Sequence, residues 1–257
     1  MTRVHATAII EDGAQIEADA EIGPYCVIGS NVKIGAETRL HSHVVVDGDT
    51  TIGAGCNVFP FACLGTQTQD LKFCGGKTSV VIGDRTTLRE YVTVTAGTNE
   101  GEVTRVGDDC TILAYCHIAH ACRVGNGVIM SNGATLAGDV TVDDQAVIGG
   151  LTGVHQFTRI GRLCMVGACS KIVKDCPPFM LVDGHPPRVR GVNVIGMERR
   201  GIDVASREML KKAHRILFRK GFSTQQAVEE IRESLEACEA TEQLLAFIEG
   251  SKRGILK

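Results

Sequence analysis

The chain has 257 residues, 44% of them hydrophobic and 22% charged, with 30 glycines, 11 cysteines and no tryptophan. Its formal charge of −3 carries no global signature of a nucleic-acid or membrane binder. The start, MTRVHATAIIEDGAQ, lacks a basic region followed by an apolar run, and no stretch of about 18 apolar residues occurs, so a cytoplasmic protein without integral membrane contact is expected. The odd cysteine count and the lack of any CxxC pair argue against a disulfide scaffold.

From the N-terminus onward one pattern dominates. Steps of six from Val4 to Leu64 meet eleven aliphatics without a miss; the series resumes at Ile82, Leu88 and Val94, then runs from Val106 to Ile172, 26 positions in all. A period of six suits neither a lone helix nor a simple amphipathic strand, but it suits a short strand plus a corner repeated around a prism, with three hexads to an 18-residue coil. Rungs about 4.8 Å apart would make some nine coils roughly 40 Å long. The residue after each aliphatic is often glycine, which suggests a crowded corner with unusual φ. The residue four after it is small or β-branched, and this second inward row takes in Cys26, Cys56, Cys110, Cys116, Cys122 and Cys164 as small hydrophobes.

Two interruptions, TQTQDLKFCGGKTSVV (66–81) and TAGTNEGEVTR (95–105), are expected to bulge outward as loops. Beyond about Asp175 the repeat stops, and DCPPFMLVDGHPPRVRG reads as an irregular connector. Helical faces follow: Leu210, Ala213, Ile216 and Leu217; then Ala227, Val228, Ile231 and Leu235 behind a cap at Ser223 or Thr224; then Leu244, Leu245 and Ile248. The expected division is a β-helix over 1–185 and a small α-helical domain over 186–257.

The 18-residue coil stacks residue 120 on 138 and 156, 119 on 137 and 155, and 121 on 139 and 157. His117, His120, Gly138, Asp139, His155 and Gln156 therefore gather on one edge. Three readings stand beside one another. The histidines could be solvated edge residues, ligands of a metal as in the gamma-type carbonic anhydrases, or acid/base groups that take and return a proton near neutral pH. Residues 186–220 hold ten Lys/Arg against three Asp/Glu, a basic region that suits acidic or phosphorylated partners.

The segments HIAHACRVG, LAGDVTVDD, VHQF, TQDLKF, DCPPF, GVN and ERRG, in this order and over nearly the whole chain, resemble the UDP-N-acetylglucosamine O-acyltransferase family of hexapeptide-repeat enzymes. The resemblance implies a left-handed parallel β-helix, although right-handed crossovers are the general preference. It implies a homotrimer with sites between neighbouring prisms. The implied reaction moves an (R)-3-hydroxyacyl group from acyl carrier protein to the 3-hydroxyl of UDP-N-acetylglucosamine, the first step of lipid A biosynthesis. No cofactor is implied beyond the carrier's own phosphopantetheine, and no metal.

By motif, His120 is the implied general base and the Gly138 N–H faces the developing oxyanion. Gln69, Asp70, Lys72, His117, His155 and Gln156 match positions that line the substrate, Asn193, Arg199 and Arg200 match nucleotide-side and phosphate-side contacts, and Ala168 matches the acyl-chain ruler. The family usually has an acid after the catalytic histidine, where this chain has Ala121, and a histidine after the LAG glycine, where it has Asp139. The expectation is that Asp139, one rung on, supplies the orienting carboxylate. Thr95 and Ala96 replace a basic pair, and His185 an asparagine. The rival readings are a relative using a 3-amino UDP-sugar or another acyl donor, a carbonic anhydrase-like metalloprotein, and a non-catalytic scaffold.

Overall fold

The structure, a computed structural model, describes residues 2–257. Each short strand pairs in parallel with the strand three further along, so the chain winds through three sheets of 11, 9 and 8 strands that form the faces of a prism. Register follows the hexads: Val4 pairs with Ile22, His117 with Thr135, and Thr135 with Gly153. Leu64 pairs with Val94, 30 residues on, and Val94 with Ile118, 24 residues on. The excess over 18 is about 12 and 6 residues, whole hexads, so both loops leave the strand phase intact. No helix among the described residues is long and apolar enough to cross a membrane.

Aliphatics of the six-residue row fill the prism; Ile28, Ile34, Leu40, Ile52, Ile82 and Leu136 are all fully buried. The second inward row has a further task. Thr38, Thr86 and Thr152 donate their hydroxyls to the carbonyls of Gly53, Gly107 and Gly167 at 2.7, 2.8 and 3.0 Å. Cys56, Cys110, Cys116 and Cys122 donate their thiols to the equivalent carbonyls of Gly83, Gly125, Ser131 and Ala137 at 3.0–3.1 Å. Small side chains with one donor satisfy a buried corner carbonyl that an alanine would leave bare. Burial pushes the Cys110 and Cys116 thiols up to about 11 and Cys122 to about 12, so they stay protonated.

Apart from Gly65, at φ 77°, the glycines after the aliphatics are not where the backbone turns left-handed, contrary to the sequence reading. Gly107 has ordinary φ, but a Cβ there would stand 2.7 Å from the Gly125 backbone of the next coil, so glycine is needed for close approach. The left-handed conformation falls two residues later, at non-glycine corners such as Tyr25, His43, Phe61, Ala121 and Asp139, with φ of 56–65°. Along one edge these corners stack Tyr25, His43, Phe61, Tyr91 and Tyr115 with ring centroids 4.9–5.0 Å apart. The rings follow the rung spacing and stay largely exposed.

The stretch read as an irregular connector forms a hairpin instead. Met180–Gly184 joins the largest sheet in parallel with Met165–Val166 and then pairs antiparallel with Pro187–Val192. Val182 and Val189 are buried, and Pro187 sits at the strand start. The expected division between 185 and 186 falls in the hairpin's turn. Four helices follow: α1 (Val194–Arg199), α2 (Val204–Arg219), α3 (Thr224–Ser234) and α4 (Glu239–Glu249). The apolar faces read from the sequence are buried, except Leu235, which is half-buried just past α3, and Ser223 caps α3 in a capping box with Gln226. The chain end returns to the prism at the buried Asp175. This carboxylate accepts the Arg159 N–H and the Ser251 hydroxyl, while its backbone bonds Gly254 and Leu256.

Candidate active site

His120 stands at a corner that its neighbours dictate. Its carbonyl accepts the Asp139 N–H at 3.0 Å, and the Gly138 carbonyl accepts the Phe157 N–H at 3.2 Å, which stacks the three rungs as the coil length predicts. A Cβ on Gly138 would overlap the His120 imidazole, so glycine at 138 makes room for the ring. The Gly138 N–H has no hydrogen-bond partner among the described residues.

The first loop brings Asp70 over this ring. Its carboxylate lies 3.6 Å from His120 Nε2, and its other oxygen accepts the Lys72 N–H at 3.0 Å. The Asp70 N–H donates to Thr68 Oγ1 at 3.2 Å, and Thr68 Oγ1 meets Thr98 Oγ1 of the second loop at 3.1 Å. Asp70 is thus the carboxylate that reaches the imidazole. Asp139 faces it from the next rung without an ion pair, and its acid is held above the usual carboxylate range by burial, against the pull of His120. His120 Nδ1 is buried and unpartnered.

His117 lies half-buried on the same face, its Nδ1 2.7 Å from Thr93 Oγ1. Burial and the neighbouring His120 push it below the ordinary imidazole value, which favours the neutral ring. A groove of about 630 Å³ adjoins the site, lined by Glu102, Ala121, Asp139, Phe157, Arg159 and Arg253 among others. His155 and Gln156 are exposed at the same edge, and His155 Nδ1 is 3.0 Å from the Gln156 carbonyl.

The other candidates are more scattered. Gln69 and Lys72 are exposed in the first loop, Ala168 at a corner of the prism, and Arg199 and Arg200 at the end of α1. Asn193 caps α1 through Gly196 N–H and donates to the Leu163 carbonyl at 2.9 Å, so both ends of its amide serve the fold. Thr95 and Ala96 are buried. Sequence reasoning missed Glu102, Thr98, Thr68 and Thr93; the acid in NEGE was the available signal for the first. Among the described residues no group of three or more His, Cys, Asp and Glu side chains is arranged to hold a metal ion.

Comparison with known proteins decides the family. Residues 175–256 match the family described as UDP N-acetylglucosamine O-acyltransferase, domain 2, and residues 1–36 and 104–138 match the bacterial transferase hexapeptide repeat. The chain is 45% identical over 262 residues to the acyl-[acyl-carrier-protein]–UDP-N-acetylglucosamine O-acyltransferase of Verminephrobacter eiseniae, covering all of both chains. The chain belongs to this acyltransferase family. The Thermodesulfovibrio yellowstonii member is 46% identical over 258 residues, again end to end. The acyltransferase structure from Acinetobacter baumannii superposes with a TM-score of 0.95 at 38% identity and covers 99% of both chains. The prism is accordingly the family's left-handed parallel β-helix, followed by its helical C-terminal part.

Proposed function

We propose that the chain transfers an (R)-3-hydroxyacyl group from acyl carrier protein to the 3-hydroxyl of UDP-N-acetylglucosamine, the first step of lipid A biosynthesis. The observation that carries this reading is the seat of His120, its ring packed over Gly138 with Nε2 3.6 Å from Asp70. Nε2 takes the proton of the sugar hydroxyl as its oxygen attacks the thioester carbon. The carbonyl electrons move onto oxygen, and the free Gly138 N–H supplies a fixed donor for that charge. Collapse expels the phosphopantetheine thiolate, which takes the proton back from the imidazolium. Asp70 and Asp139 favour the imidazolium that forms between these steps.

His117, held neutral, acts as a hydrogen-bonding neighbour for the sugar, with Gln69, Lys72, His155 and Gln156 around it. Arg199 and Arg200 serve the nucleotide side, with Asn193 placing them as the cap of α1, and Ala168 bounds the acyl chain. The prism to residue 185 carries the reaction in this reading, and the part beyond it meets the acidic carrier. Arg188, Arg190, Arg199, Arg200, Lys212, Arg215 and Arg219 support that role, since none of them is in an ion pair among the described residues. The exposed aromatic file supports a homotrimer, because a contiguous apolar strip of this kind marks an interaction surface. A cytoplasmic location fits substrates that are themselves cytoplasmic.

The test is to incubate the protein with 3-hydroxyacyl carrier proteins of several chain lengths and UDP-N-acetylglucosamine. Wild type gives the 3-O-acyl product, and His120→Ala lowers kcat by about 10²–10⁴-fold. No product from any donor overturns the reading.

A further inference from the structure

Glu102 closes the second loop and belongs to none of the motifs that single out the site. One of its carboxylate oxygens accepts the N–H groups of Thr98 and Asn99 at 2.8 and 3.0 Å, and the other accepts the Asn99 side-chain amide at 2.5 Å. Its backbone is also engaged, with N–H to the Asn99 carbonyl and carbonyl to the Ser79 N–H. No cation pairs with it among the described residues. Burial would raise its acid, but the three N–H donors, together with His120, keep it below the usual range. Gly97 fits the same design, since a Cβ there would stand 2.5 Å from the Glu102 side chain.

From Glu102 a continuous path leads to the histidine. The Glu102 carboxylate holds the Thr98 backbone, the buried Thr98 hydroxyl meets Thr68, Thr68 accepts the Asp70 N–H, and the Asp70 carboxylate faces His120 Nε2. We propose that Glu102 is a positioning residue for the acyl transfer: it folds the second loop so that Thr98 and Thr68 fix Asp70 against His120. The proposal rests on the acyltransferase reading of His120.

Two full-length variants separate anchoring from charge. Glu102→Gln keeps the size and one acceptor but removes the charge; Glu102→Ala removes both. Glu102→Gln, which keeps an acceptor for the Thr98 and Asn99 N–H groups, should restore most of the turnover that Glu102→Ala loses. Glu102→Ala should lower kcat at least tenfold, and adding Asp70→Asn to it should cost much less than Asp70→Asn costs in wild type.

Independently of turnover, the His120 Cε1–H resonance, assigned by its absence in His120→Ala, should change its chemical shift in Glu102→Ala, where Asp70 loses its anchor, and stay near its wild-type position in Glu102→Gln. An unmoved resonance in Glu102→Ala, with Asp70→Asn fully additive, overturns the proposal. If wild type proves inactive with every donor, the acyltransferase reading fails, and the resonance still decides whether Glu102 acts on His120.

Discussion

At the scale of single residues, the site is built from groups whose surroundings oppose one another. His117 is kept neutral by burial beside another imidazole, while His120 is ringed by acids. The sign for His117 follows from linkage: its proton binds more readily in the unfolded chain, so stability falls as pH drops below the unfolded imidazole value of about 6.5. Thermal melts of wild type between pH 7 and 5 should show that decline, and His117→Asn should show a smaller one. The location of His120, Gly138 and Asp139 on neighbouring rungs was legible because an 18-residue coil converts sequence distance into height. Which acid touches His120 was not, since Asp70 arrives on a loop whose path follows hydrogen bonds among Thr68, Thr98 and Glu102 rather than any periodicity.

At the scale of elements, strands two residues long hold only because each coil lies on another, and the last coil needs a substitute neighbour. Asp175 ties the chain end to that coil through Arg159, Ser251, Gly254 and Leu256. Asp175→Ala strands the Arg159 N–H and the Ser251 hydroxyl in a buried place, which costs about 2 kcal/mol. Differential scanning calorimetry should register a fall in Tm of about 4–8 °C. The three longer helices were readable from apolar spacing and the Ser223 cap. α1 escaped because six residues are too few for a period to show. The hairpin at 180–192 escaped because its prolines look like breakers; its pairing comes from Met165–Val166 on the preceding coil, a contact no local rule contains.

At the scale of the whole molecule, the prism is nearly one-dimensional, and this explains why so much of it could be read directly. Register, core and corner positions all repeat, and the two loops preserve the phase by adding whole hexads. Handedness was not in the period itself. The edge of stacked rings has an optical consequence for the assembled particle. The chain has three tyrosines and no tryptophan, and Tyr25, Tyr91 and Tyr115 all lie in that one file. Tyrosine emission and the tyrosine band of the near-ultraviolet circular dichroism, at longer wavelength than the bands of the eight phenylalanines, therefore report on a single edge. If subunits meet along it, diluting the protein should change the tyrosine signal in step with the sedimentation coefficient, giving a label-free readout of assembly.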